Sequence, residues 1–301
     1  MPATYPAPPA ATTPWRPPPI VKASVACHLG VGVAAVATPL DWPSAASLIA
    51  ANHAVLALGG LWPRSTWLGQ NLLRLPAQAA RRGEVAITFD DGPDPDVTPA
   101  VLDILDAEGA HATFFCIAAR AARHPALCRE IVRRGHSVQN HTRRHSHTFA
   151  LLGPRSLAAE IAGAQAALSD LTGTPPAFFR APAGMRSPLL APVLQRLELQ
   201  LVSWTRRGYD TVQRQPVRVL QRLTRGLAGG DILLLHDGHC ARTPEGQPVV
   251  LGVLPALLGS LRAHGLQAVT LDHAVPAGAA PATDRRAGVG SPPRRHARHL
   301  G

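Results

Sequence analysis

Seven short apolar runs alternate with longer helical patterns along the middle of this chain, and this alternation constrains the fold more than any other feature. The runs lie at 84–89, 112–116, 136–140, 177–180, 199–204, 231–235 and 267–270. Between runs, apolar residues recur every three or four positions, as at Leu157, Ile161 and Leu168. Strands that alternate with helices pair in parallel. The sequence therefore predicts an α/β fold, an irregular or incomplete (β/α) barrel with mostly parallel strands.

The first apolar run ends in two adjacent carboxylates, Asp90 and Asp91, with a Gly-Pro turn directly after them. Catalytic groups of parallel barrels lie at the carboxyl ends of the strands. Two neighbouring carboxylates there can have different roles, one binding a metal and the other accepting a proton. Taken alone, a strand that ends in Asp-Asp-Gly-Pro is more often a capped turn than a metal site.

A second group, His141 and His145, carries two imidazoles four residues apart. On a helical turn this spacing directs both side chains to the same side. One carboxylate and two imidazoles make a three-ligand set with open coordination positions, as a catalytic metal site requires. The set indicates a divalent metal ion. Zinc is the first choice, and cobalt, manganese and nickel are alternatives. Without other evidence, two such histidines are commonly part of a solvated face.

Five blocks in a fixed order resemble the polysaccharide deacetylase family, also called the NodB-homology family of carbohydrate esterases. The resemblance covers roughly residues 84–272. The blocks are Thr88-Phe89-Asp90-Asp91-Gly92-Pro93, His141 to His145, Phe179-Arg180-Ala181-Pro182-Ala183-Gly184, Trp204 through Asp210, and Leu233-Leu234-Leu235-His236-Asp237. This resemblance implies a metal-dependent hydrolase that removes the N-acetyl group of an amino sugar.

The resemblance also implies a role for each matched residue. Three residues would hold the metal: Asp91, His141 and His145. Four would carry out or support proton transfer: Asp90 as general base, His236 as general acid, Arg180, which positions Asp90, and Asp210, which orients His236.

Four further residues are implied to contact the substrate. Leu234 would line the small pocket for the acetyl methyl group, and a backbone N–H after Pro182 would stabilise the oxyanion. Ala183 and Trp204 would border the sugar groove. The family usually has an aromatic residue at the position of Ala183 and often a tryptophan at that of Thr211, so this chain has less surface for stacking on sugar rings.

The resemblance thus implies intact chemistry with altered substrate recognition, and we expect the substrate to be a glycan or a lipid-linked glycan precursor. A deformylase of a lipid-linked amino sugar is an alternative, because it needs the same chemistry on a smaller acyl group. A catalytically silent membrane protein that binds carbohydrate is another, although the complete set of matched residues argues against it.

The remaining parts of the chain differ in composition from the alternating region. Residues 1–19 are rich in proline and alanine, which predicts a disordered segment. Residues 20–62 are apolar and predict a membrane hairpin, and residues 63–82 are interpreted as a linker. The catalytic domain is then 83–274, followed by a basic disordered tail at 275–301.

Two apolar stretches form the predicted hairpin, 23–40 and 44–62, and each is near the minimum length for a bilayer crossing. Basic residues flank the pair on both sides. The positive-inside rule then places both ends and the catalytic domain in the cytoplasm. Alternatively, the stretches pack as soluble helices, or the first acts as a single anchor or cleaved signal, which would put the domain outside the cytoplasm.

The formal net charge of +11 invites a nucleic-acid partner, but 29 of the 30 basic residues are arginine. Such a bias indicates composition rather than a selected binding face, so no nucleic-acid partner is expected. The four cysteines have no C-x-x-C spacing and are interpreted as free or buried thiols. The sequence does not indicate an oligomeric state.

Overall fold

The computed structural model describes residues 15–37 and 41–275. Predictions for the proline-rich N-terminus up to residue 14 and for the basic tail from residue 276 lie outside the described residues.

A single curved sheet forms the centre of the catalytic domain, and every pairing between its strands is parallel. Its strands are β1 Glu84–Asp90, β2 Ala112–Cys116, β3 Ser137–Asn140, β4 Phe178–Phe179, β5 Gln200–Leu201, β6 Arg206–Arg207, β7 Ile232–His236 and β8 Gln267–Ala268. The order is β5-β4-β3-β2-β1-β7-β6, with β8 also paired to β1. The predicted incomplete (β/α) barrel is confirmed.

Three helices, α1 to α3, precede the sheet, and the others lie between or after its strands. They are α1 Pro19–Ala37, α2 Trp42–Leu61, α3 Ala77–Arg81, α4 Thr98–Ala107, α5 Ala118–Arg123, α6 Pro125–Arg133, α7 Pro154–Thr172, α8 Leu190–Arg196, α9 Pro216–Thr224, α10 Val249–Ala263 and α11 Leu271–Ala274. Short 3-10 turns lie at Phe149–Leu151 and Pro182–Gly184. The apolar stripe predicted around Leu157 and Ile161 is buried on α7.

The two faces of β1 have different surroundings because successive side chains of a strand point to opposite sides. Val85, Ile87 and Phe89 pack in the large apolar cluster between the sheet and its helices. Thr88 and Asp90 are also buried but belong to the other face, which lines the barrel interior. The strand therefore carries structural residues on one side and polar residues on the other.

The chain between α2 and α3 contacts the barrel along much of its length. Leu72 forms an isolated parallel bridge with Val202, just beyond β5, and the Leu75 amide donates to the Gly230 carbonyl at 2.9 Å. The segment interpreted as a linker thus lies against the open side of the sheet, next to the end strand β5.

The single strand predicted at 199–204 is a point of difference. Strand β5 covers only Gln200–Leu201 of this range, followed by the isolated bridge of Val202, and a separate strand, Arg206–Arg207, adds to β7 at the other end of the sheet. The prediction was wrong here because the chain crosses from one end of the barrel to the other within a few residues, which an apolar pattern does not reveal.

Candidate active site

The register between β1 and β7 sets two of the predicted catalytic residues side by side. Asp90 is the Cα partner of His236, and both lie at the carboxyl end of their strands on the interior face. Both are buried. The predicted convergence at the C-terminal rim of the barrel is therefore confirmed as geometry.

The structure brings Asp91, His141 and His145 into one cluster whose ligand atoms lie within 4.8 Å of one another. The Asp91 Oδ1 atom is 3.4 Å from His141 Nε2 and 3.2 Å from His145 Nε2. This oxygen is buried, and the two imidazole nitrogens are its nearest polar neighbours, with no well-formed hydrogen bond to either. One carboxylate oxygen and two imidazole nitrogens are thus close enough to bind the same cation. A cation would also satisfy the buried Asp91 oxygen.

The predicted helical turn at His141–His145 is wrong, because these residues form a loop after β3. Thr142 and His145 have φ angles of 67° and 55°, which a right-handed helix does not accommodate. The Asn140 side chain accepts a bond from the Thr142 amide, and the Thr142 hydroxyl accepts one from the His145 amide. Side-chain bonds within the loop, rather than helical geometry, bring the two imidazoles together.

The environment of His141 directs its Nε2 atom to the cluster. Its Nδ1 atom lies 2.8 Å from the Arg180 carbonyl, which accepts the ring proton and leaves Nε2 as an acceptor. Burial lowers the pKa of His141, but the nearby carboxylates of Asp90 and Asp91 outweigh it and raise the pKa. Burial also lowers the pKa of His145 to about 4, so that this ring is neutral near pH 7.

Asp91 is held ionised by the same cluster. Burial raises its pKa, but the close imidazoles of His141 and, to a smaller extent, His145 bring the pKa well below its ordinary value. An ionised carboxylate and a neutral imidazole are the protonation states that metal ligands need.

Arg180 lies in the barrel interior and fixes the position of Asp90. Its Nη1 atom donates to Asp90 Oδ1 at 2.7 Å and to the Thr88 hydroxyl at 2.8 Å, and Nη2 donates to the Ser203 carbonyl. The guanidinium lies 4.1 Å from the centre of the Phe115 ring. Burial lowers the pKa of Arg180, and the charge of Asp90 opposes this effect. The ion pair leaves the second Asp90 oxygen free of Arg180.

Asp210 holds His236 through both carboxylate oxygens. Oδ1 is 2.9 Å from the His236 Nδ1 atom, and Oδ2 accepts from the His236 amide at 2.7 Å. The arrangement fixes the ring with Nε2 as its remaining titratable nitrogen. Burial lowers the pKa of His236, but the charge of Asp210 outweighs it and the pKa is raised.

The predicted substrate residues border the same interior. Leu234 and Trp204 belong to one buried apolar cluster, and Leu234 precedes His236 by two positions on the same face of β7. Pro182 and Ala183 lie in the 3-10 turn after β4, where Ala183 is exposed and has a φ of 53°. A buried apolar cluster and an exposed turn thus lie beside the polar groups.

Three residues that the sequence left without a role also contact this site. Thr88 accepts a bond from Arg180. Arg120 donates to the Asp91 carbonyl at 2.8 Å and to the ring of His239. His239 Nδ1 lies 3.4 Å from the Asp91 oxygen that faces away from the other two histidines. Thr88 and His239 lie in or just after recognised blocks, whereas nothing in the sequence around Arg120 indicated it.

Comparison with known proteins gives the family. A family model for polysaccharide deacetylases matches residues 77–202. The chain is 31% identical over 189 residues to a peptidoglycan-N-acetylglucosamine deacetylase of Bacillus cereus, covering 62% of this chain and 85% of the relative. It is 36% identical over 166 residues to a chitooligosaccharide deacetylase of Azorhizobium caulinodans, covering 54% and 79%. A solved family 4 carbohydrate esterase of Streptomyces lividans, in complex with acetate, is similar with a TM-score of 0.56 at 31% identity, over 62% of this chain and 91% of that one.

The parallel half-barrel and its polar rim are thus those of a carbohydrate-active hydrolase. This chain belongs to the polysaccharide deacetylase family. The resemblance based on the five sequence blocks is confirmed, as is the hydrolase class.

Proposed function

We propose that this protein is a metal-dependent de-N-acetylase that hydrolyses the N-acetyl amide of an amino sugar in a glycan or a lipid-linked glycan precursor. The observation that carries the proposal is the position of the Asp91, His141 and His145 cluster beside the Asp90–Arg180 and His236–Asp210 pairs. The curated relatives from Bacillus cereus and Azorhizobium caulinodans support the amino-sugar substrate, because both are named as deacetylases of such sugars.

The donor set suits a divalent ion. Ligand atoms of a tetrahedral zinc site lie about 2.0–2.1 Å from the metal and therefore about 3.3 Å from one another, and the Asp91 oxygen lies 3.2 and 3.4 Å from the two histidine nitrogens. Zinc is our first choice, and cobalt, manganese and nickel accept the same ligands. When bound, such an ion would lower the pKa of a coordinated water and polarise the amide carbonyl.

The residues of the chain would then manage the protons. Asp90, fixed by Arg180, accepts a proton from the attacking water through its second oxygen. His236, held by Asp210 at Nδ1, donates a proton from Nε2 to the leaving amine, which a neutral amide nitrogen needs before it departs. The backbone after Pro182 offers an N–H to the oxyanion, and the acetyl methyl enters the apolar cluster of Leu234 and Trp204.

We also propose that α1 and α2 form a membrane hairpin. The structure confirms two helices of 19 and 20 residues that are apolar and long enough to cross a bilayer, and only 6% and 17% of their most apolar windows are buried. Such exposed apolar surface is unfavourable in water. By the positive-inside rule, both ends lie in the cytoplasm. Reporter fusions at residues 41 and 82 test this topology, and a periplasmic signal at 82 contradicts it.

The test of the activity is direct. The full chain in detergent, supplied in turn with zinc, cobalt, manganese or nickel, is incubated with N-acetylated and N-formylated amino-sugar oligomers and with their lipid-linked forms, and acetate and formate release is measured. Acetate release supports the proposal, formate release alone favours the deformylase, and release of neither from any substrate favours the silent carbohydrate-binding protein.

A further inference from the structure

The carboxyl-terminal end of α2 is attached to the rim of the active site. The Arg186 amide donates to the Gly60 carbonyl at 3.1 Å, and the Arg186 guanidinium donates to the Ser65 carbonyl. The Ser203 hydroxyl donates to the Pro63 carbonyl at 2.7 Å. The chain that leaves α2 thus contacts the loops after β4 and β5, which are the walls of the proposed sugar groove.

The ends of α2 have the residues that mark a membrane–water interface. Trp42 at its start and Trp62 just after its end are 71% and 51% exposed. Arg64 follows, and its guanidinium reaches the Thr205 carbonyl at 3.3 Å. Exposed tryptophan and arginine at the end of an apolar helix lie at the level of lipid headgroups. With α2 crossing the bilayer as proposed above, these contacts put the rim at that level as well.

The exposed large apolar side chains of the catalytic domain share one kind of position in the chain. They are Leu151 (84%), Leu189 (39%), Tyr209 (48%), Val212 (74%) and Val217 (64%). Each lies on the chain between the carboxyl end of β3, β4 or β6 and the first turn of the following helix. We call the three loops after these strands, residues 141–153, 180–189 and 208–215, the rim loops.

The opposite side of the barrel provides the contrast. Within the described residues, the turns that precede β2, β3 and β8, at 108–111, 134–136 and 264–266, expose none of these large apolar side chains. Water disfavours exposed leucine and valine equally on both sides. The exposed apolar side chains of the rim are consistent with a partner that covers it.

The rim loops also carry exposed cations, Arg143, Arg144 and Arg214. Apolar side chains that alternate with arginine suit the boundary between acyl chains and anionic headgroups. A lipid surface also explains why the rim loops contact the end of the apolar helix α2, whereas a protein partner does not.

We propose that the rim loops lie on the membrane surface beside the hairpin, and that the protein takes its amino sugar from a lipid anchor in that same membrane. This inference rests on the proposed de-N-acetylase function. A lipid anchor holds the sugar within reach of a site that faces the bilayer, so little stacking surface is needed, and the exposed turn after β4 carries only the small side chain of Ala183. A soluble oligomer would have to enter the narrow space between the rim loops and the lipid, so we expect it to be the poorer substrate.

The position of the rim is tested by spin labels in the full chain reconstituted in vesicles with anionic lipid. Single cysteines replace Leu151, Leu189 or Val212 in protein whose Cys27 and Cys240 are changed to alanine, and Ala263 at the far end of α10 is the matched control. We expect the rim labels to be more accessible to oxygen than to a water-soluble nickel chelate, and the control label to show the reverse. Rim labels as water-exposed as the control would overturn the proposal, and protection that appears only in native membranes would replace lipid with a protein partner.

The substrate class is tested with the combined variant Leu151→Ser, Leu189→Ser and Val212→Ser, and with Ala256→Ser on the exposed face of α10 as control. In vesicles, we expect the kcat/KM of the combined variant for a lipid-linked N-acetylated sugar to fall about tenfold, equivalent to about 1.4 kcal/mol of interfacial binding. Its turnover of a soluble oligomer in detergent, and both activities of the control, should be unchanged. Equal use of lipid-linked and soluble substrate by the unmodified protein refutes the lipid anchor but retains the de-N-acetylase, whereas no acetate from either substrate refutes the de-N-acetylase itself.

Discussion

Asp90 and Asp91 are neighbours in the chain, yet their side chains have different surroundings. Asp90 still belongs to β1 and points into the barrel, where Arg180 holds it. Asp91 has a φ of 71°, which turns it out of the strand alternation and toward the two histidines. The change of backbone conformation between two residues thus separates a proton acceptor from a metal ligand.

Variants at the two kinds of position should therefore fail in different ways. Asp90→Asn removes the proton acceptor but keeps a side chain that Arg180 can contact, so we expect turnover to fall by about 10²–10⁴-fold with metal content unchanged. His141→Ala removes a ligand, and we expect both metal and activity to be lost. Acetate release and metal analysis of the same preparations check this. Loss of metal in Asp90→Asn, or its retention in His141→Ala, would contradict the assigned roles.

Asp210→Asn tests how His236 is tuned. The charge of Asp210 raises the pKa of His236, and the general acid works only while it is protonated. Activity falls as the pH rises through that pKa, so loss of the charge should move this alkaline limb to lower pH and reduce kcat. The measurement is kcat/KM against pH for the variant and for Asp90→Glu, which keeps Asp210 intact. An alkaline limb at the same pH in Asp210→Asn would show that another group is the acid.

At the scale of elements, the sequence predicts best where an element is long and its pattern repeats. β1, β2 and β7 have five to seven residues with an apolar face on the helices, and all three were predicted from this alternation. β4 and β5 lie within predicted runs but have only two residues each, and the two-residue strand β6 lies outside every predicted run, because so short a strand shows no period. Their positions depend on contacts with neighbours distant in sequence.

The candidate site shows the same limit. The identities of its residues followed from the sequence blocks, since residue types carry the chemistry. The loop conformation of His141–His145 did not, because side-chain bonds of Asn140 and Thr142 override the helical spacing. The contact of Arg120 with the Asp91 carbonyl was also not predictable, because a long side chain on α5 reaches across to another loop.

The junction between α6 and β3 carries a pH-dependent contribution to stability. His136 is buried there, its Nδ1 accepts from the Ala112 amide, and burial lowers its pKa to about 4 from an ordinary value of 6.5. The folded state therefore favours the neutral ring, and the unfolded chain binds the proton first as the pH falls. Stability should be lost between about pH 6.5 and pH 4, by an amount on the order of 3 kcal/mol.

Urea unfolding at pH 7 and at pH 4 checks this expectation against His136→Gln, which keeps an acceptor and cannot titrate. The variant should lose less stability over that interval than the unmodified protein. Equal losses in the two proteins would assign the pH dependence to other groups.

At the scale of the whole molecule, the candidate site is assembled from segments far apart in the chain. Asp90 and Arg180 are 90 positions apart in the chain, yet Arg180 Nη1 lies 2.7 Å from Asp90 Oδ1. The three proposed ligands come from the loops after β1 and β3, and they meet only when the sheet is formed. A ligand that needs such an arrangement binds the folded state and not the unfolded chain.

Metal should accordingly stabilise the whole fold. At a free metal concentration of 100 times Kd, the expected gain is about 2.7 kcal/mol, which for a domain of this size raises Tm by roughly 5–10 °C. Thermal unfolding with zinc and after chelation measures the shift. Asp90→Asn should keep it, since it retains all three ligands, whereas His145→Ala on its partly exposed loop should fold and show no shift. A full shift in His145→Ala would place the ion elsewhere, and no shift in the unmodified protein would contradict metal binding at this site.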